Sequence, residues 1–242
     1  MTAPTLLDPG VLDAVTPAQL SRVEPFPWRV FDRLIRPGAF RELADAFPDL
    51  RLFERHEGRP RASGQRPHNR YYLAYDRTVG GGRPGVVGRG GLAPVWRALL
   101  EELESPPYLD RARELLDAEE VRIRFAWHVG VRGSEVSPHR DAASKYGTHI
   151  FYFNDRSNWD PAWGGATLML GGPKRRVSNP EFEDFSTTVA GPSFGNASLL
   201  FRRSANSWHG VRALTCPRHA RRRLFNVIFE RAADGRAPGS GG

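Results

Sequence analysis

The sequence has almost no cysteine and almost no lysine. Cys216 is its only cysteine, so no intrachain disulfide framework can form. No apolar run approaches the ~18 residues that a membrane span needs. The opening stretch MTAPTLLDPGVLDAV lacks the basic region and apolar segment of a secretory signal. These absences set the expectation of a cytoplasmic protein. The only lysines are Lys145 and Lys174, yet the formal net charge is +8 and the pI near 10.3, so the basic excess is arginine. The arginines are spread from Arg22 to Arg236, denser at Arg202–Arg203 and Arg221–Arg223, without a helix-turn-helix, zinc finger or aromatic-basic platform. A dedicated nucleic-acid role is therefore not favoured over a solvated basic surface or small anionic substrates.

What is present suits one globular domain: 242 residues, 40% hydrophobic and 26% charged, enough for a sizeable core. The first part, 1–118, reads as a helical, α+β lead-in packed on a core. Helical character spans Val11 to Leu20, and Trp28 to Phe31 is a strand candidate. Pro37 opens a helix that runs from Gly38 to Phe47. Arg51 to Asn69 reads as a loop and Tyr71 to Tyr75 as a strand, and helices follow over Pro94–Glu104 and Tyr108–Leu116. From residue 119 the pattern changes to short strands between turns: Val121–Val129, His149–Phe153, Ala166–Leu170, Ser198–Phe201 and Leu224–Phe229. That spacing predicts a mainly β fold, a sandwich or jelly roll over 119–230 with flanking helices. The stretch 231–242 has little apolar content and is expected to be a disordered tail.

Gly80, Gly82 and Gly85 form a literal GxGxxG. A dinucleotide site needs a helix opening inside the motif and an acid some 20 residues on. Pro84 interrupts it and no such acid is evident, so the run is expected to be a flexible loop over an active site.

His139-Arg140-Asp141 follows a Gly/Ser/Pro turn. In an extended segment, residues i and i+2 point to one face, so His139 and Asp141 can share a ligand-binding side. His209 lies far downstream beyond a strand and a polar turn. Two imidazoles and one carboxylate on one face of an iron(II) ion leave the opposite positions open. In a chain with seven histidines an HxD alone is a weak signal. The kinase catalytic loop also carries HRD, but Tyr146 stands where its Asn would be and no DFG follows.

The surrounding pieces add specificity. The blocks GTHIFYFND and WGGATLML, then SLLFRRSANSWHGV, then RRRLFNVIFE resemble, in order, the prolyl-4-hydroxylase-like branch of the 2-oxoglutarate/iron(II) oxygenases, over residues 119–230. The resemblance implies a double-stranded β-helix core and iron(II) held by His139, Asp141 and His209. It implies 2-oxoglutarate as co-substrate, with ascorbate as a supporting reductant. The family's arginine for the distal carboxylate matches Arg222, with Arg221 as the alternative. Leu224 stands where a small residue is usual, which leaves the register open. An arginine fork suits a buried carboxylate because it donates two parallel hydrogen bonds. Tyr152 matches the family tyrosine on the same carboxylate, and Thr148 and Ile150 share its strand face. His128 stands near another co-substrate position, where the family often has tyrosine. His149 and His219 are read as structural or solvated, and the Trp159/Trp163 pair as a cap near the cavity mouth or as core.

The activity implied is hydroxylation of an unactivated C–H bond with release of succinate and carbon dioxide. Composition leans towards a small-molecule substrate, an amino acid or natural-product intermediate. A protein side chain, as for a peptidyl prolyl hydroxylase, is the alternative, and a non-catalytic cupin-like metal-binding module is the reading from another class.

Overall fold

The computed structural model describes residues 5–59, 66, 68–175 and 177–232. Two short helices, α1 (Pro9–Asp13) and α2 (Pro17–Ser21), replace the single one expected over Val11–Leu20. The cause is local: Asp8 and Thr16 each cap the start of a separate turn, and a proline follows each cap. Then come β1 (Trp28–Asp32), α3 (Pro37–Asp45), β2 (Glu54–His56), β3 (Arg70–Tyr75), β4 (Gly82–Arg83) and β5 (Val86–Val87). Two amphipathic helices follow, α4 (Pro94–Leu103) and α5 (Pro106–Leu116), each opened by proline. The remaining strands are β6 (Val121–Gly130), β7 (Val136–His139), β8 (Lys145–Tyr152), β9 (Leu168–Pro173), β10 (Phe185–Ala190), β11 (Ala197–Arg202), β12 (Trp208–Val211) and β13 (Arg222–Arg231).

These strands form two sheets. The larger has the order β1-β11-β8-β13-β6-β3-β5-β4, with β2 added on β3; the smaller has the order β10-β9-β12-β7. This is the mainly β, jelly-roll architecture expected, with helices outside it. The chain before residue 119 is also part of the sheet: β1 pairs with β11, and β3 pairs with β6. The tail expected from 231 lies outside the described residues from position 233 on, and Arg231 itself closes β13. Among the described residues no helix is long and apolar enough to cross a membrane.

Strand alternation sorts the residues by face. On β13, Phe225, Val227 and Phe229 enter the helix-covered core with Trp96, Trp127, Phe151 and Phe153. Trp96 is its centre, 5.3 Å from Trp127 and 5.0 Å from Phe153 between ring centroids, and its truncation to alanine should cost about 3–5 kcal/mol. On the opposite face of the same strand, Arg222, Leu224, Asn226 and Ile228 line a cavity between the two sheets.

The glycine run does not cover that cavity. It folds as the β4–β5 hairpin at the sheet's edge, and none of residues 80–91 lines the cavity. The glycine at position 88 is sterically required, because a Cβ there would stand 1.5 Å from the Val79 carbonyl oxygen.

Candidate metal centre and co-substrate pocket

The smaller sheet brings the distant histidines together. His209 on β12 is the direct ladder partner of His139 on β7, and their ring centroids lie 4.3 Å apart. Asp141, just past β7, puts Oδ1 4.0 Å from His139 Nε2. Ligand atoms from His139, Asp141 and His209 all fall within 4.8 Å of one another.

The supporting bonds suit a metal. His139 Nδ1 lies 3.0 Å from the Ser137 carbonyl, and His209 Nδ1 lies 3.0 Å from the Ser207 carbonyl. A carbonyl only accepts, so each Nδ1 carries the proton and each Nε2 presents its lone pair. Asp141 receives Lys145 Nζ on Oδ1 at 2.9 Å and Thr148 Oγ1 on Oδ2 at 3.0 Å. Burial pushes the Asp141 carboxyl up, but the positive charges beside it, the Lys145 ammonium first, outweigh it and hold the group well below the usual carboxylate range. The donor set is two neutral imidazoles and one ionised carboxylate from one side, which fits a divalent metal with open positions.

The cavity beside these residues has a volume near 420 Å³, ample for a small ligand. Arg222 is 5% exposed, and its Nε and Nη2 have no hydrogen-bond partner among the described residues. Burial pushes the guanidinium below its ordinary value, while Tyr152 beside it acts in the other direction. Its carbon stands 5.6 Å over the Tyr152 ring. Behind it, Gly165 at φ 90° leaves the space it occupies, since a Cβ there would be 2.9 Å from both Arg222 Cδ and Nε.

The other expected residues divide. Arg221 is not at the cavity: its Nη1 donates to the Arg218 and Ala220 carbonyls, and it lines a separate cleft with His219 and Arg223. It precedes β13 and falls outside the alternation that turns Arg222 inward. Tyr152 lies behind the wall, with its hydroxyl 2.8 Å from Thr167 Oγ1, and Thr167 in turn faces the cavity. Thr148 faces the cavity, but its hydroxyl donates its hydrogen bond to Asp141. His128 lines the cavity, its Nε2 without a hydrogen-bond partner among the described residues. Burial first, then the charges of Arg70 and Arg222, push its ring well below the ordinary histidine range. His149 faces the opposite side, bonded to Tyr108 and Ser198. Trp159 packs with Leu214, Cys216 and Ala220, not at the mouth.

Sequence reasoning missed one wall. Arg70 and Tyr72 on β3, with His56 and His68 nearby, line the cavity. The available signal was the period-two spacing of Arg70 and Tyr72; what it lacked was a partner strand, because β3 pairs with β6 far downstream.

No protein-family model and no curated protein matches the chain. The class its fold defines is the double-stranded β-helix proteins, in the form seen in 2-oxoglutarate/iron(II) oxygenases. A prolyl-4-hydroxylase from Pseudomonas putida is similar at a TM-score of 0.58 and 16% identity, covering 92% of this chain and 100% of that one. A prolyl hydroxylase from Trichoplax adhaerens, solved with a peptide fragment of hypoxia inducible factor, gives 0.62 at 14%, covering 90% and 89%. The non-haem α-ketoglutarate-dependent carbocyclase SnoK of nogalamycin biosynthesis gives 0.58 at 12%, covering 95% and 87%.

Proposed function

We propose that this chain is a cytoplasmic iron(II)- and 2-oxoglutarate-dependent dioxygenase that hydroxylates an unactivated C–H bond of a small molecule, an amino acid or natural-product intermediate. The observation that carries the reading is the buried, partnerless guanidinium edge of Arg222 in the same cavity as the triad. A buried cation is costly unless an anion answers it, and a dicarboxylate co-substrate supplies one. A cupin-like metal-binding module has no use for that arginine.

His139, Asp141 and His209 would hold the metal. Lys145 and Thr148 fix the orientation of Asp141, and Arg222 anchors the distal carboxylate of the co-substrate with Tyr152 packed beside it. His128, which lines the same cavity, would offer a hydrogen bond to that ligand. Bound iron would supply dioxygen activation, coupled to conversion of 2-oxoglutarate into succinate and carbon dioxide. The buried walls from Ile150, Phe201 and Leu224 keep water from the reacting carbon.

The test is anaerobic titration with iron(II) and 2-oxoglutarate, following the visible charge-transfer band. The wild type should develop it, His139→Ala should not, and Arg222→Ala should require far more co-substrate. An undiminished band in His139→Ala removes that ligand and, with it, the reading. A second reading, peptidyl hydroxylation, draws on the likeness to prolyl hydroxylases. Succinate release stimulated by prolyl peptides and by no small acid or amino acid would select it.

A further inference from the structure

We propose that a second cleft, beside the start of β13, is a binding site for a small organic anion whose carboxylate or phosphate group lies between Arg221 and Arg223. The cleft has a volume near 390 Å³ and is lined by both arginines, His219, Ala220, Trp163 and side chains of the 154–158 loop. It shares no lining residue with the cavity beside the metal triad. The arginine run at 221–223 thus serves two places. Strand alternation turns Arg222 into the cavity, while the residues on either side of it turn to the cleft.

The neutral polar groups of the cleft are used up within its wall. Asn154 is 1% exposed. Its Nδ2 donates to Asn158 Oδ1 at 2.7 Å and to the Arg221 carbonyl at 2.8 Å, and its Oδ1 accepts from the Arg223 backbone N–H at 2.6 Å. Ser157 Oγ and Asn158 Nδ2 both donate to Asp155 Oδ1. These bonds fix the backbone that carries the two arginines. The guanidiniums themselves are held by one end: Arg221 Nη1 on the Arg218 and Ala220 carbonyls, Arg223 Nη1 on the Ala44 carbonyl. A carbonyl positions a guanidinium without cancelling its charge, and among the described residues neither arginine makes an ion pair. The acids that act on Arg223 are Asp155 and Asp45. Burial outweighs both and holds the guanidinium below its ordinary value. What the cleft offers a ligand is therefore a pair of charged donors, which a carboxylate or phosphate accepts from at once. Trp163 and Ala220 give an apolar wall for the carbon body of the same molecule, and the volume suits a small ligand rather than a polymer.

The experiment is calorimetric titration of the full, iron(II)-loaded chain, kept anaerobic, with phenyl phosphate, benzoate and phenol, each with and without saturating 2-oxoglutarate. At least one of the two anions should bind about ten-fold or more tightly than phenol. Its affinity should be unchanged by 2-oxoglutarate, which belongs to the other cavity. Tighter binding of phenyl phosphate than of benzoate assigns a phosphate-bearing ligand, and the reverse a carboxylate. Arg221→Gln should remove the preference over phenol. Ser157→Glu should remove it too, by setting a carboxylate in the cleft while both arginines stay. Equal binding of anion and phenol, no binding of either anion, displacement of the anion by 2-oxoglutarate, or a preference kept in either variant would each overturn the proposal. An oligonucleotide that binds more tightly than both small anions would also overturn it, by making the cleft part of a nucleic-acid surface. The comparison with phenol and the competition with 2-oxoglutarate use the wild type alone, so they decide even where a variant fails to fold.

Discussion

His139 and His209 occupy directly opposed positions in the β7–β12 ladder, their rings 4.3 Å apart. Neither ring can leave without breaking the pair that aims both Nε2 atoms at one point. Removing His209 as alanine is expected to reduce iron(II) affinity well beyond the about 10–100-fold that loss of a supporting hydrogen bond costs. Thr148→Val, which deletes only the bond to Asp141 Oδ2, is expected to fall inside that range. Anaerobic metal titration measures both. Equal effects of the two changes would mean that His209 is not a ligand.

Gly165 and Arg222 make a second coupled pair. At φ 90° a side chain is strained, and a Cβ at 2.9 Å from Arg222 pushes the guanidinium out of place. Gly165→Ala is expected to cost about 1 kcal/mol of stability from the backbone. It is also expected to raise the KM for 2-oxoglutarate about ten-fold, with iron affinity unchanged. A KM left at the wild-type value would show that Arg222 does not reach the co-substrate.

His149 ties stability to pH. Burial keeps it neutral in the folded chain down to about 3, whereas an ordinary histidine titrates near 6.5. Between those values the unfolded chain binds the extra proton. The stabilisation is thus complete above pH 6.5 and declines as pH falls towards 3, with a slope approaching about 1.4 kcal/mol per unit for one proton. His149→Gln loses part of its bonding to Tyr108 and Ser198, so it is expected to be less stable at pH 8 but flatter between pH 6.5 and 4.5. Urea unfolding across that interval checks it; parallel curves for the two proteins would rule out His149 as the source.

The shared face of His139 and Asp141 and the inward face of Arg222 were legible because their geometry is local, whereas His209 reaches His139 only through the β7–β12 ladder. An HxD in extended chain puts both side chains on one face, and alternation from Asn226 turns Arg222 inward while Arg223 points to the helix-side surface and donates to the Ala44 carbonyl. The β3 wall was not legible, since Arg70 and Tyr72 gain their role only when β3 pairs with β6. The strand Phe185–Ala190 was missed for a related reason: it is largely exposed and carries little apolar alternation. Parity placed Thr148 on the Tyr152 face, but parity fixes a face and not a partner, and here Asp141 accepts from its hydroxyl. Tyr152, matched to a co-substrate position by the resemblance, has its hydroxyl on Thr167, which leads into β9 of the other sheet.

Arg222 sets function against stability. Its Nε and Nη2 are buried without hydrogen-bond partners among the described residues, and burial pushes the guanidinium below its ordinary value. Replacing a buried charge by an apolar side chain of similar volume is often stabilising by about 1–4 kcal/mol. Arg222→Met should therefore melt at a higher temperature than the wild type when no 2-oxoglutarate is present. Adding 2-oxoglutarate at 100 times its dissociation constant should stabilise the metal-loaded wild type by about 2.7 kcal/mol, and the variant by almost nothing. The two melting curves should cross as the co-substrate is titrated in. A variant less stable than the wild type without co-substrate would mean that the guanidinium is answered within the chain, and the case for a bound dicarboxylate would lose its principal support.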